Sequence, residues 1–240
     1  AGFAFKVAAA PFHMWLPDVY DGAPTTVAGF MATGVKVAAF GALVRVFAHI
    51  YQGDTGTLRD IMWWLAVATI TVGHVAALAQ RSVKRMLAYS SMSHAGYLIV
   101  GLVAMVGVRG ADGHLEFTDS SAVRAILYYL LAYVVTNIGA FAVLSFLERD
   151  YRKGLDFDDM AGLRQRFPVM AFALSIFMVG LGGIPGTAGF IGKFIILEAT
   201  VESARQLGDE SFNLLAVLAI INSLVGLYYY LRVPISLYAK

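Results

Sequence analysis

The sequence predicts an all-α, polytopic bundle of transmembrane helices, and three observations carry that prediction. Hydrophobic residues make up 59% of the chain and charged residues 14%, against about 45–50% and about 25% in an ordinary soluble domain. The excess falls in blocks of about 20 residues, the length that spans a hydrocarbon core as helix. Those blocks also lack the polar/apolar alternation over about ten positions that a membrane barrel strand shows. Only helices and closed barrels satisfy their backbone groups inside lipid, so helices remain.

Seven segments follow in order: residues 1–20, 24–50, 61–78, 86–108, 122–146, 168–201 and 212–231. They make one transmembrane domain over residues 1–240. The chain begins with Ala inside an apolar stretch, without the positive n-region of a signal peptide. It therefore reads as a fragment of a longer protein whose N-terminal helices are missing. Orientation follows the distribution of Lys and Arg. Arg81, Lys84, Arg85, Arg149, Arg152, Lys153, Arg164, Arg166, Arg232 and Lys240 fall on one side, and Arg59, Arg109, Arg124 and Arg205 on the other. The richer side is expected to be cytoplasmic, with residues 148–166 as a charged surface loop there.

Several function classes drop out. Without cysteine there is no disulfide, thiol nucleophile or Cys-ligated metal cluster. A net charge of +2, with most basic residues in loops, gives no nucleic-acid surface. His13, His49, His74, His94 and His114 lie on separate elements without paired ligand spacing, so no metal site is expected. No glycine-rich phosphate loop follows a strand. The chain is thus expected to hold no NAD, flavin or haem of its own.

Four basic residues are left once the loops are satisfied: Lys6, Lys36, Arg45 and Lys193. Arg45 is near enough to a helix end to snorkel outward. The three lysines are not. A lysine at the bilayer centre costs about 3 kcal/mol on insertion scales. It persists by pairing, by reaching water, or by giving up its proton. Two readings follow: a site that gains and loses protons, or a structural lysine bonded to helix-end carbonyls. Three lysines at similar depth favour the first.

The sixth segment supports that choice. As one helix of 34 residues it would be roughly 50 Å long, at about 1.5 Å per residue, in a core of about 30 Å. Its middle carries five glycines and Pro185 between Gly180 and Phe190, which will not propagate a helix. An unwound stretch between two half-helices is predicted, with Lys193 and Glu198 on the second. Such breaks occur at membrane depth where they line a cavity or are buried in protein, and transporters use them at ion sites. A helix-loop-helix with its glycines at the surface is the other reading. In the first segment Pro11 disfavours helix at Ala10, so Lys6 also lies beside a break.

The fourth segment is the polar link. Lys84, Tyr89, Ser90, Ser91, Ser93, His94 and Tyr97 crowd its first half. His94, roughly 12 Å in from the end at 1.5 Å per residue, can pass a proton at physiological pH. A core histidine bonded to a neighbouring carbonyl is the plainer reading. His74 lies in an apolar segment without polar companions and reads as structural. Lys84, with Arg81 and Arg85, anchors the interface or admits protons to the path. Glu198, five residues from Lys193, does not face it on an ideal helix.

Four stretches now carry a resemblance. Residues 5–21 read FKVAAAPFHMWLPDVYD, residues 22–40 GAPTTVAGFMATGVKVAAF, residues 85–97 RMLAYSSMSHAGY, and residues 182–197 GGIPGTAGFIGKFIIL. Together they resemble the antiporter-like membrane subunits of respiratory complex I, the proton-pumping NADH–quinone oxidoreductase. The PDVYDGAPT run is most similar to the subunit N (subunit 2) branch. The resemblance implies a fold of fourteen helices with two inverted five-helix repeats, of which this chain covers the seventh to the thirteenth. It implies that Lys6 and Lys193 are channel lysines on the broken seventh and twelfth helices, and that Lys36 is a connecting lysine on the eighth. His94 and Lys84 match polar-axis positions on the tenth. The family pairs the Lys6 position with a glutamate on a helix outside this chain.

The resemblance implies a proton-translocating subunit with NAD, FMN, iron–sulfur clusters and quinone in other subunits. Its partners would be neighbouring antiporter-like subunits and membrane lipid, in the bacterial cytoplasmic membrane. A subunit of a multi-subunit Na⁺/H⁺ antiporter shares this ancestry and is the alternative, disfavoured by the PDVYDGAPT run. A membrane scaffold whose lysines only hold helices together is the third possibility.

Overall fold

The computed structural model describes residues 1–50, 56–107, 121–151 and 155–239. Arg109, His114, Arg152, Lys153, Lys240, the loop at 108–120 and the side chain of His49, all considered above, lie outside the described residues. Nine α-helices are present among the described residues. They are α1 (Gly2–Val7), α2 (Leu16–Gly22), α3 (Thr25–Ile50), α4 (Gly56–Leu78), α5 (Val83–Gly107), α6 (Ser121–Tyr151), α7 (Pro168–Gly182), α8 (Ala188–Leu207) and α9 (Ser211–Tyr238). No strand forms among them; a single bridge pairs Ser82 with Asp156. The architecture is the expected all-α membrane bundle. Helices α3, α4, α5, α6 and α9 are each long and apolar enough to cross a bilayer.

The two discontinuous helices are where the sequence places them. Helix α1 stops at Val7, because Ala8 turns left-handed at φ 59°. That is three residues before Pro11. The backbone opened by the break finds partners: Ala10 N–H donates to Thr69 Oγ1 on α4 at 3.1 Å, and Trp15 Nε1 donates to Phe5 O at 3.2 Å. Exposed amides at membrane depth would otherwise be costly. Helix α2 then restarts with Pro17 in its first turn, where a missing N–H leaves nothing unpaired.

The second break is shorter than predicted, residues 183–187 rather than 180–190. Gly183 ends α7 at φ 76°, a conformation that disfavours any Cβ. Thr187 caps α8 by accepting the Phe190 N–H at 3.2 Å. Gly189 holds the halves together, since a Cβ there would lie 2.0 Å from the Gly180 carbonyl oxygen.

Helix α5 is the hub. It packs against α2, α3, α4, α6, α8 and α9, so its hydroxyls and His94 have protein on every side. Close approach to α4 comes from small residues: Gly73 lies against Ser93, and Gly96 against Ile70. The outer helix faces carry Trp64, Leu131, Val135 and Leu224, all exposed, as a lipid-facing surface requires.

Ion pairs sort the helix ends into two layers that match the charge count. On one side Arg85 bridges Asp18 at 3.1 Å and Asp21 at 3.7 Å, and Lys84 reaches Glu148 at 3.4 Å. On the other, Arg59 bridges Asp209 at 3.1 Å. One expectation is corrected. Residues 155–166 are not a plain surface loop, because Leu155, Phe157, Met160 and Leu163 are buried beneath the bundle. Ser236 donates to Phe157 O at 2.6 Å, tying the end of α9 to this segment. Its charge pattern hid those four apolar anchors.

Two outcomes test this fold. Gly189→Ala should force α7 and α8 apart and lower the amount of folded protein severalfold, measured by size-exclusion yield in detergent; overpacking of this kind costs about 1–3 kcal/mol or more. Hydrogen bonds from Ser211, joined by the Arg59 guanidinium, hold the Asp209 carboxyl below the usual aspartate range. A lowered folded value means this stabilisation is present above the ordinary aspartate value of about 4 and fades as pH falls through the folded value. Asp209→Asn should therefore cost about 0.5–1 kcal/mol at neutral pH, with the thermal-melt difference closing in acid. A difference that stays constant on acidification contradicts the ion-pair account.

Candidate functional site

Lys36, His94 and Lys193 are the buried polar centre of the bundle, at 2%, 4% and 4% exposure. Lys36 rises from the middle of α3 and donates to the Ser91 carbonyl of α5. Its ammonium also lies 6.0 Å from the centre of the Tyr133 ring. Lys193, in the second turn of α8, donates to Gly182 O and to Ser223 Oγ, each at 3.1 Å. Gly182 is the last residue of α7, whose C-terminal dipole end favours a cation. The Tyr97 ring, 5.1 Å from the ammonium, adds a cation–π contact. The ammonium lines a cavity of about 370 Å³ whose wall includes Gly183, Phe190, Phe194, Ile220 and Leu224.

Neither lysine has a carboxylate within ion-pair distance among the described residues; their acceptors are carbonyls and a hydroxyl. Glu198 is exposed on the outer face of α8, away from Lys193. His94 sits between the lysines and within electrostatic reach of both. Its Nδ1 meets the Tyr129 hydroxyl at 2.6 Å and its Nε2 meets the Tyr230 hydroxyl at 2.9 Å. In the neutral ring one nitrogen donates and the other accepts, so the two tyrosines play opposite roles. The Tyr230 hydroxyl also bonds Ser90. On the Lys36 side, Tyr133 donates to Ala32 O at 3.0 Å and lies 3.1 Å from Ser91 Oγ, while Asn137 donates to Tyr133 at 2.8 Å.

The other predicted residues lie apart from this centre. Lys6 is exposed on the outer face of α1, beside a lateral cavity of about 410 Å³ with Phe3, Phe30 and Gly34 in its wall. Lys84 is buried but at the helix ends. Its ammonium caps α2 through Asp21 O at 3.2 Å and Ala23 O at 3.0 Å. Those contacts tie it to the end of α2, outside the hydrogen bonds of the His94 cluster. Among the described residues no group of three or more His, Asp and Glu side chains could hold a metal ion.

Residues 1–219 match the family model described as NADH:quinone oxidoreductase/Mrp antiporter, TM. The chain belongs to that family. It is an integral, multi-pass membrane protein, as the family and the five spanning helices require. Curated relatives include NADH-quinone oxidoreductase subunit N of Myxococcus xanthus, 47% identical, with 100% of this chain and 48% of the relative covered. Subunit N of Bdellovibrio bacteriovorus is 43% identical, with 100% and 46% covered. The chain thus spans about half the length of the curated relatives it matches. Among solved structures it is similar to a chain of respiratory complex I from Thermus thermophilus with bound aureothin. That likeness has 35% identity and a TM-score of 0.77, with 100% of this chain and 48% of that one covered. It also shares the fold of a chain in the Mrp complex from Dietzia sp. DQ12-45-1b, with a TM-score of 0.83 at 21% identity, covering 99% and 40%.

Within this oxidoreductase/Mrp antiporter member, sequence reading picked out the lysines and His94 and missed the tyrosines around them. Tyr129 and Tyr133 come from α6, and Tyr229 and Tyr230 from α9. Each lies in an apolar span, and the run Tyr228, Tyr229, Tyr230 was the available signal. His74, read as lacking polar companions, meets the Tyr229 hydroxyl at 3.0 Å. That partner comes from a helix 155 residues away, which no local pattern reveals. Lys84→Met should destabilise the protein by about 1–3 kcal/mol, the worth of hydrogen bonds to a charged donor, in thermal melts of the purified protein. Glu148→Gln should cost less than 1 kcal/mol, as expected for an exposed pair. Equal effects would contradict the capping role.

Proposed function

We propose that the chain is the C-terminal part of a subunit-N-type membrane component of a proton-translocating NADH:quinone oxidoreductase. It moves protons through Lys36, His94 and Lys193 while redox chemistry proceeds on other subunits. The observation that carries this reading is the buried Lys36–His94–Lys193 arrangement. Two ammonium groups held by carbonyls and a hydroxyl, with no carboxylate beside them among the described residues, can release and regain a proton. His94 between them can accept on one nitrogen as it donates from the other. The 47% identity to a subunit N over the whole chain supports the same assignment.

In this reading Lys193 is the outlet or inlet beside the second break, Lys36 the connecting site, and His94 the exchange point. Lys6 is a further proton site whose acidic partner lies outside this chain, and Lys84 is an interface position on the same axis. NAD, FMN, iron–sulfur clusters and quinone belong to partner subunits. The partners are neighbouring antiporter-like subunits in the bacterial cytoplasmic membrane, as the bacterial relatives suggest. The fold shared with the Mrp complex favours a second reading, a subunit of a multi-subunit Na⁺/H⁺ antiporter.

Lys193→Ala in the full-length subunit should leave the complex assembled and lower proton pumping by roughly tenfold, equivalent to about 1.4 kcal/mol. Unchanged pumping and NADH-linked activity would remove Lys193 from the path. Co-purification of flavin- and iron–sulfur-containing chains supports the oxidoreductase. A small set of hydrophobic partners with Na⁺-dependent exchange supports the antiporter instead.

A further inference from the structure

His74 is 1% exposed and takes no part in the path just described. Three features mark it as more than a packed ring. Its Nε2 is buried without a hydrogen-bond partner among the described residues. An unsatisfied buried polar atom costs about 1–3 kcal/mol, which a phenylalanine or leucine in the same space would not incur. The facing helix makes room for the imidazole, because a Cβ at Gly226 on α9 would lie 2.6 Å from Cε1 and 2.9 Å from Nδ1. And His74 is joined to His94 by side chains alone. His94 Nε2 meets the Tyr230 hydroxyl at 2.9 Å, the neighbouring Tyr230 and Tyr229 hydroxyls are within reach of one another, and the Tyr229 hydroxyl meets His74 Nδ1 at 3.0 Å. The two tyrosine rings stand 4.5 Å apart between centroids.

Every member of that chain can accept and donate at once. A proton arrives at His94 on the nitrogen that bonds Tyr129. The other nitrogen passes its hydrogen to the Tyr230 oxygen, Tyr230 passes its own to Tyr229, and Tyr229 passes its own to His74 Nδ1. Each hydroxyl ends with the one hydrogen it began with, so no tyrosinate forms. His94 ends neutral in the other tautomer, and His74 becomes an imidazolium with Nε2–H facing the unpartnered side.

The titratable groups that face His74 are Tyr229 on α9, Tyr97 on α5 with its ring 6.0 Å away, His94 on α5, and Lys193 on α8 within electrostatic reach. Lys193 is the only one of these that carries a positive charge independently of the hydroxyl chain. Like charges in a weakly polar interior repel strongly. We propose that His74 is a second proton-holding site, reached from His94 through the Tyr230–Tyr229 hydroxyl pair and filled when Lys193 is uncharged. The inference rests on the proton-translocating reading above and gives it a branch, so that a proton leaving Lys193 has a place to wait within the bundle.

The test uses the full-length subunit in the assembled complex in liposomes. Protons moved per NADH oxidised are compared for Lys193→Ala, His74→Gln, Tyr229→Phe and the double variant His74→Gln/Tyr229→Phe. Glutamine keeps a hydrogen bond to Tyr229 but cannot carry the proton, so it rescues a structural role and not this one. His74→Gln and Tyr229→Phe should each lower the ratio at least about fivefold, the low end for energetically linked sites. The double variant should be no worse than either, because both interrupt one path. Normal pumping by His74→Gln overturns the assignment to His74. Normal pumping by Tyr229→Phe overturns the connecting path, and decides the matter if His74→Gln does not assemble. If Lys193→Ala pumps normally, the underlying reading fails; if only Lys193→Ala loses pumping, the inference alone fails.

Discussion

An ammonium group carried into hydrocarbon must find acceptors, and in this protein the breaks in its helices supply them. A continuous helix keeps its carbonyls for itself, whereas a terminated one leaves its last carbonyls free. Lys193 donates to Gly182, the last residue of α7, and Lys84 donates to Asp21 and Ala23 at the end of α2. In both cases the cation also lies at the negative end of a helix dipole. The conformation of the breaks is therefore inseparable from the placement of the charges. A carbonyl accepts a hydrogen bond without bringing the opposite charge that a carboxylate would, so Lys193 is held in place with no carboxylate beside it among the described residues.

The hub helix converts these isolated lysines into a connected centre. Helix α5 is enclosed by six neighbours and carries the serines, His94 and Tyr97 that the others meet. Tyrosines from α6 and α9 reach it with their hydroxyls and fill the remaining space with their rings. Each such interhelical hydrogen bond is worth only about 0.6 kcal/mol, so the network does little to hold the bundle together. The close approach of α4 and α5 at Gly73 and Gly96 contributes packing there instead. The network's value is that its members both donate and accept, which packing alone never requires.

Within this chain the three lysines have different surroundings. Lys36 and Lys193 are enclosed, with the histidine–tyrosine cluster between them, whereas Lys6 opens on an outer face beside Phe3 and Phe30. The carbonyls freed by the first break are turned toward other partners: Phe5 accepts from Trp15, and Ala4 and Phe5 accept from the turn that ends α1. A lysine beside a broken helix thus occurs twice, enclosed at α8 and exposed within this chain at α1.

The fold was legible in the sequence because a bilayer leaves so few solutions: apolar blocks of spanning length must be helical, and clustered glycines and prolines must interrupt them. The lysines and His94 were legible for a related reason, since polar residues are conspicuous against an apolar background. The anchoring of residues 155–166 to the bundle was not, because its charges mask four buried apolar side chains. Nor were His74 and the tyrosines, which in sequence look like ordinary interior residues. Tyr129, Tyr229 and Tyr230 become partners of His94 and His74 only when α6 and α9 close around α5. Sequence by itself determined which residues cannot be at rest in lipid. The tertiary structure decided which of them share hydrogen bonds, because those bonds join helices 35 to 155 residues apart and depend on packing that no local periodicity encodes.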